Sequence, residues 1–199
     1  IISLGDSAFD INFVADNLKD EVEHWITSNE PLNMYGGPSY IKGVWPPFHK
    51  NFFDFLKLRK NFIKAHILAY QEIKKSYGYT SPHNIGPHVG VVETNRYPVA
   101  GKFLNFAKRL FIKHRNLYFW RKVVPYQDFI GLNYYTLFRF PGSYKVLLQQ
   151  DIAEEMNWEI YSKGIYHFLM ELKKFNKPVF ITENGIGDAG ASDDTEDVN

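Results

Sequence analysis

The amino-acid sequence predicts an α/β protein of about four parallel βα units, an incomplete (β/α)8 barrel of the TIM-barrel type. Helical and strand-like segments alternate along the chain, one strand is a compact apolar run, and polar clusters fall where strands end. Residues 7–20 have a helical stripe of Phe9, Phe13, Val14 and Leu18. The β-prone stretch Val22 to Thr27 runs directly into Asn29-Glu30-Pro31, and a loop rich in Gly, Pro and aromatics follows from about Pro31 to Lys50. Helical spacing returns over 51–76, where Phe55, Phe62, Ile63, His66, Ile67 and Tyr70 recur on one side. Val89-Gly90-Val91-Val92 is the apolar run expected of a strand buried on both faces. Residues 100–121 read as a helix, and Phe129 to Tyr135 as a strand ending in polar aromatics. Residues 157–175 form a further helix with Ile165, Phe168, Leu169 and Leu172 on one face. Pro178 to Thr182 is the last strand, with Glu183-Asn184-Gly185 at its end, and residues 186–199 read as a frayed acidic tail of a single domain spanning 1–199.

Composition narrows the function classes. With 23 basic and 22 acidic residues the net charge is +1, which gives no electrostatic basis for nucleic-acid or anionic-membrane binding. The Lys and Arg residues interleaved with Phe and Leu over 100–121 are explained as the solvated face of an amphipathic helix. No apolar run reaches the roughly 18 residues of a membrane span, and the first residues lack the pattern of a secretory signal. The absence of Cys excludes thiolate chemistry and is compatible with a reducing compartment, so a cytoplasmic location is the expectation. The seven His residues show no metal-ligand spacing, and His66, on its helix's apolar stripe, is expected to be a satisfied core residue.

Two carboxylates at the ends of two strands of one barrel suit glycoside hydrolysis. One protonates the leaving oxygen and the other attacks the anomeric carbon, at about 5 Å separation in retaining enzymes. Glu30 and Glu183 fit these roles, with three βα units carrying the chain from one to the other. Asn29 stands beside the acid, where it can bond a sugar hydroxyl. Asn133 and Tyr135 share one side of their strand by the two-residue period, and Tyr135 can donate its hydroxyl to Glu183. Tyr134 then faces the helices.

These segments resemble glycoside hydrolase family 1. Val22 to Pro31 looks like that family's acid/base segment, Phe180-Ile181-Thr182-Glu183-Asn184-Gly185 like its nucleophile segment, and Asp128 to Thr136 like the strand supplying the nucleophile's tyrosine partner. Asn157-Trp158-Glu159-Ile160-Tyr161 with Gly164-Ile165 fits its approach to the nucleophile strand. The resemblance implies retaining hydrolysis of a small β-glucoside or β-galactoside substrate with no metal or organic cofactor. It also implies that these strands are the fourth to seventh of eight.

Nothing in the sequence corresponds to the family's first three strands or its last, with the Gln, His, Trp and Glu that grip the sugar. Glu93-Thr94-Asn95 stands where the family offers an Asn near the sugar, and leaves its equivalent open. The favoured expectation is that this stretch belongs to a longer barrel. A fragment completed by another chain and a half-barrel homo-oligomer are the alternatives. A non-catalytic carbohydrate-binding fragment is the competing function. A barrel glycosidase of another family is a third reading, against which the Asn133-Tyr134-Tyr135 segment argues.

Overall fold

The computed structural model describes residues 4–78, 87–100, 117–140 and 161–185, with isolated positions between 106 and 113. Four strands, β1 (His24–Asn29), β2 (His88–Thr94), β4 (Phe129–Tyr134) and β6 (Val179–Asn184), form one all-parallel sheet in the order β1-β2-β4-β6. Short strands β3 (Tyr97–Ala100) and β5 (Leu137–Phe140) follow β2 and β4 and pair in parallel as a second sheet, Tyr97 opposite Leu137. Helix α1 (Leu4–Leu18) precedes β1, and α2 (Phe52–Ser76), α3 (Leu117–Val123) and α4 (Ser162–Leu172) intervene between the main strands. The βα alternation read from the sequence is therefore present. The parts of the expected helices at 101–116 and 157–160 that are not described, and the tail at 186–199, lie outside the described residues.

Alternation along each strand separates two faces. Val91, Ile130, Leu132 and Tyr134 point at the helices and pack on Leu117, Phe119, Trp120, Val123, Phe168 and Leu172. A second cluster joins Val89 to Ala15 and Ile73, walled by Ile11, Trp25, Tyr70 and Tyr77. The opposite, inner face carries His24 stacked on His88 at 4.9 Å and Phe129 stacked on Phe180 at 4.5 Å. Between these rings the strands need glycine. A Cβ on Gly90 would lie 2.6 Å from the Phe129 ring, and one on Gly131 would collide with Val92.

Local chemistry sets the helix ends and anchors. The Asn51 side chain accepts the Phe53 and Asp54 N–H groups at 2.9 and 3.3 Å, capping α2. Lys74 near the other end pairs with Asp128 at 2.7 Å, and Asp128 also accepts the Val89 N–H, which ties α2 to the start of β2 and β4. His66 is buried with its Nδ1 2.7 Å from the Thr27 hydroxyl.

Two expectations are corrected. In α1, Ile11 and Ala15 face the core while Phe13 is 66% exposed and Val14 and Leu18 are also exposed, because the i, i+4 pair that meets the sheet turns those residues outward. The Phe9 side chain lies outside the described residues. The stretch from Pro31 is not all loop: Pro31–Lys42 is a widened, π-type helix, stabilised where Gly36 seats directly on the Phe55 ring of α2.

Candidate active site

The carboxyl ends of β1, β2, β4 and β6 lie side by side, so every polar residue just past an apolar strand opens onto one rim. β1 ends at Asn29, and Glu30 follows in the left-handed conformation at φ 49°, ψ 48°, its N–H bonded to the Val92 carbonyl at 2.8 Å. That turn folds the Glu30 side chain inward, where it is 5% exposed. Its Oε1 accepts from the Thr94 hydroxyl and from Asn133 Nδ2 at 2.7 Å, and its Oε2 accepts from Asn33 Nδ2 at 3.0 Å.

Glu183, three strands away at the end of β6, is half-buried. Tyr135 donates its hydroxyl to Oε2 at 2.6 Å, and Asn29 donates Nδ2 to Oε1 at 3.3 Å. Asn133 Nδ2 also reaches Asn29 Oδ1 at 3.3 Å, and Thr182 fixes Asn133 by donating to its Oδ1 at 2.6 Å. All five residues singled out in the sequence, Asn29, Glu30, Asn133, Tyr135 and Glu183, therefore belong to one hydrogen-bonded network. Asn29 serves here as a bridge between Glu183 and Asn133. Burial, the bond to Glu183 and the charges of Glu183 and Glu30 push the Tyr135 phenol up to about 12, so it stays a donor. Tyr134 faces the helices as expected, donating to the Tyr161 carbonyl at 2.9 Å.

Sequence reasoning did not find Asn33, Thr94, Thr182 or the work of Glu93. Buried Glu93 accepts the backbone N–H groups of Leu32, Asn33 and Thr94 at 2.8, 3.2 and 3.1 Å. Glu93 and Thr94 had a signal, since both are polar at a strand end, whereas Asn33 had none in spacing. Asn95 turns onto the Glu93 carbonyl, so Thr94 is the residue of that triplet that meets Glu30. Beyond the rim, a cleft of about 320 Å³ opens between Tyr135, Tyr161, Ser162 and Asn184.

A parallel sheet with helices on one face and its polar residues at the carboxyl strand ends is part of a (β/α)8 barrel. Residues 10–125 match the model of Glycosyl hydrolase family 1, and the chain belongs to that family. It is 29% identical to β-glucosidase A of Thermotoga maritima over 85% of this chain and 45% of the relative. It is 26% identical to a β-galactosidase of Pyrococcus woesei over 89% of this chain and 45% of that protein. A hyperthermophilic β-glucosidase from Pyrococcus furiosus superposes with a TM-score of 0.78 at 25% identity, covering 95% of this chain and 43% of that one. The chain thus spans about half the length of the relatives it matches. Glu30 lies inside the family match and Glu183 beyond its end.

Proposed function

We propose that this chain carries the acid/base and nucleophile strands of a retaining β-glycosidase acting on β-glucosides or β-galactosides. One observation supports this above the rest: two carboxylates from outer strands of one parallel sheet meet through Asn29 and Asn133, with Tyr135 held on Glu183. Glu183 attacks the anomeric carbon as the bond to the leaving oxygen breaks and Glu30 gives that oxygen its proton. Water then loses a proton to Glu30 and displaces Glu183, so two inversions leave the configuration retained. Tyr135 and Asn29 hold the Glu183 oxygens in orientation, and every step uses protein groups and water.

Azide separates the two roles, because it can replace a missing nucleophile or attack a trapped intermediate. With the barrel complete, Glu183→Gly in azide is expected to release the α-glycosyl azide from an aryl β-glucoside, and Glu30→Gly the β-glycosyl azide. Substantial hydrolysis by Glu183→Gln without azide would overturn the assignment.

The second reading is a weakly active or non-catalytic carbohydrate-binding piece that needs a partner chain or a second copy. The inner face favours it: Ile26 is 50% and Phe180 40% exposed, on the side that a closed barrel would cover. Activity that appears only when a complementing half is added would support that reading.

A further inference from the structure

Glu30 occupies a left-handed backbone conformation that is strained for a non-glycine residue, so something nearby must hold it there. The next residue is Pro31, which lacks an N–H, and the N–H groups of Leu32 and Asn33 open a helix and have no carbonyl one turn earlier to bond. The Glu93 carboxylate accepts both, one on each oxygen, and Oε1 accepts the Thr94 N–H as well. Glu93 therefore grips the two segments whose side chains hold Glu30: Asn33, which donates to Oε2, and Thr94, which donates to Oε1.

Asn33 brings a property that a Lys or Arg would lack. Its amide carries donors on one side and an acceptor on the other, so rotation by half a turn lets it donate to an ionised carboxylate or accept from a carboxylic acid. Thr94 has the same versatility through its hydroxyl. A general acid/base passes through both forms in each turnover, and both of these neighbours can follow it.

We propose that Asn33 and Glu93 are positioning residues for Glu30: Glu93 fixes the turn after Glu30, and Asn33 holds the Glu30 carboxyl in both of its protonation forms. The assignment rests on Glu30 acting as the acid/base. Neither residue touches substrate in this role, so their loss should impair proton donation specifically.

Leaving-group dependence reads that out. A 2,4-dinitrophenyl β-glucoside departs without a proton, whereas an alkyl β-glucoside needs one. With the barrel complete, Asn33→Leu and Glu93→Gln are expected to lose about tenfold or more in kcat/KM on the alkyl substrate beyond any loss on the dinitrophenyl one. The Asn33→Leu/Glu93→Gln double variant should lose less than the product of the single losses, because the two act in series. Equal losses on both substrates would overturn the proposal and leave the residues merely structural. Glu30→Gln is the reference: if it shows no such substrate split, the acid/base reading itself fails. If Glu30→Gln shows the split and Asn33→Leu does not, only the positioning role fails. Asn33→Leu, at a partly exposed position, keeps the test open should Glu93→Gln not fold.

Discussion

Tyr135 contacts Glu183 through a single 2.6 Å bond, and a phenol raised to about 12 donates unchanged across the range in which proteins stay folded. Tyr135→Phe is expected to lower kcat roughly a hundredfold while leaving the alkaline limb of the pH–rate profile unaltered, since the phenol exchanges no proton there. A change in that limb would show that the hydroxyl titrates. His66 behaves oppositely. Burial pulls its pKa down to about 4, against a smaller opposing pull from the Tyr126 backbone. The folded protein takes up this proton only below about pH 4, while the unfolded chain does so below about 6.5. Acid therefore favours unfolding across that window, costing about 3 kcal/mol by its lower end. Urea midpoints between pH 7 and 4 should fall more steeply in the wild type than in His66→Gln. Equal slopes would mean that His66 is charged in the fold.

Elements were legible where local pattern and tertiary role agree. Val89 to Val92 is apolar because helices and barrel interior both exclude water, and the Phe168 and Leu172 stripe of α4 meets the same core. The strand-end rule then brought Glu30, Asn133 and Glu183 to one rim. What stayed hidden depends on contacts remote in sequence. The helix at Pro31–Lys42 contains Gly36, Gly37 and Pro38, which read as loop residues until α2 supplies the surface on which Gly36 seats. Strands β3 and β5 have four residues each, too few for periodicity to register, and each needs the other for pairing. The roles of Asn33 and Glu93 follow from the left-handed turn at Glu30, which a non-glycine residue does not advertise. At Gly164 an added Cβ would collide with the Tyr134 hydroxyl and lie 2.7 Å from its ring. Gly164→Ala should thus destabilise the fold by about 2 kcal/mol through overpacking, and adding Tyr134→Phe should recover part of the loss. Unfolding at equal urea midpoints in wild type and Gly164→Ala would show that α4 can shift away from β4 without cost.

For the molecule as a whole, the two core clusters lie between the helices and the outer face of the main sheet, which is filled except at β6, where Ile181 is 50% exposed. The inner face is more open. Its aromatic layer of His24, His88, Phe129 and Phe180 is packed within itself, yet Ile26 and Phe180 remain substantially exposed. Among the described residues, β1 and β6 each have a main-sheet neighbour on one side only. Open parallel edges beside an apolar face favour pairing with another chain, because association removes both kinds of unsatisfied surface from water. The 199-residue chain taken alone is therefore expected to associate with increasing concentration and to bind a hydrophobic dye. Sedimentation velocity across a hundredfold concentration range would follow it. Phe180→Lys with Ile26→Lys should shift the population toward monomer without loss of helical circular dichroism, since neither side chain packs on the helices. A chain that sediments as a dye-silent monomer at every concentration would mean that this inner face is covered from within.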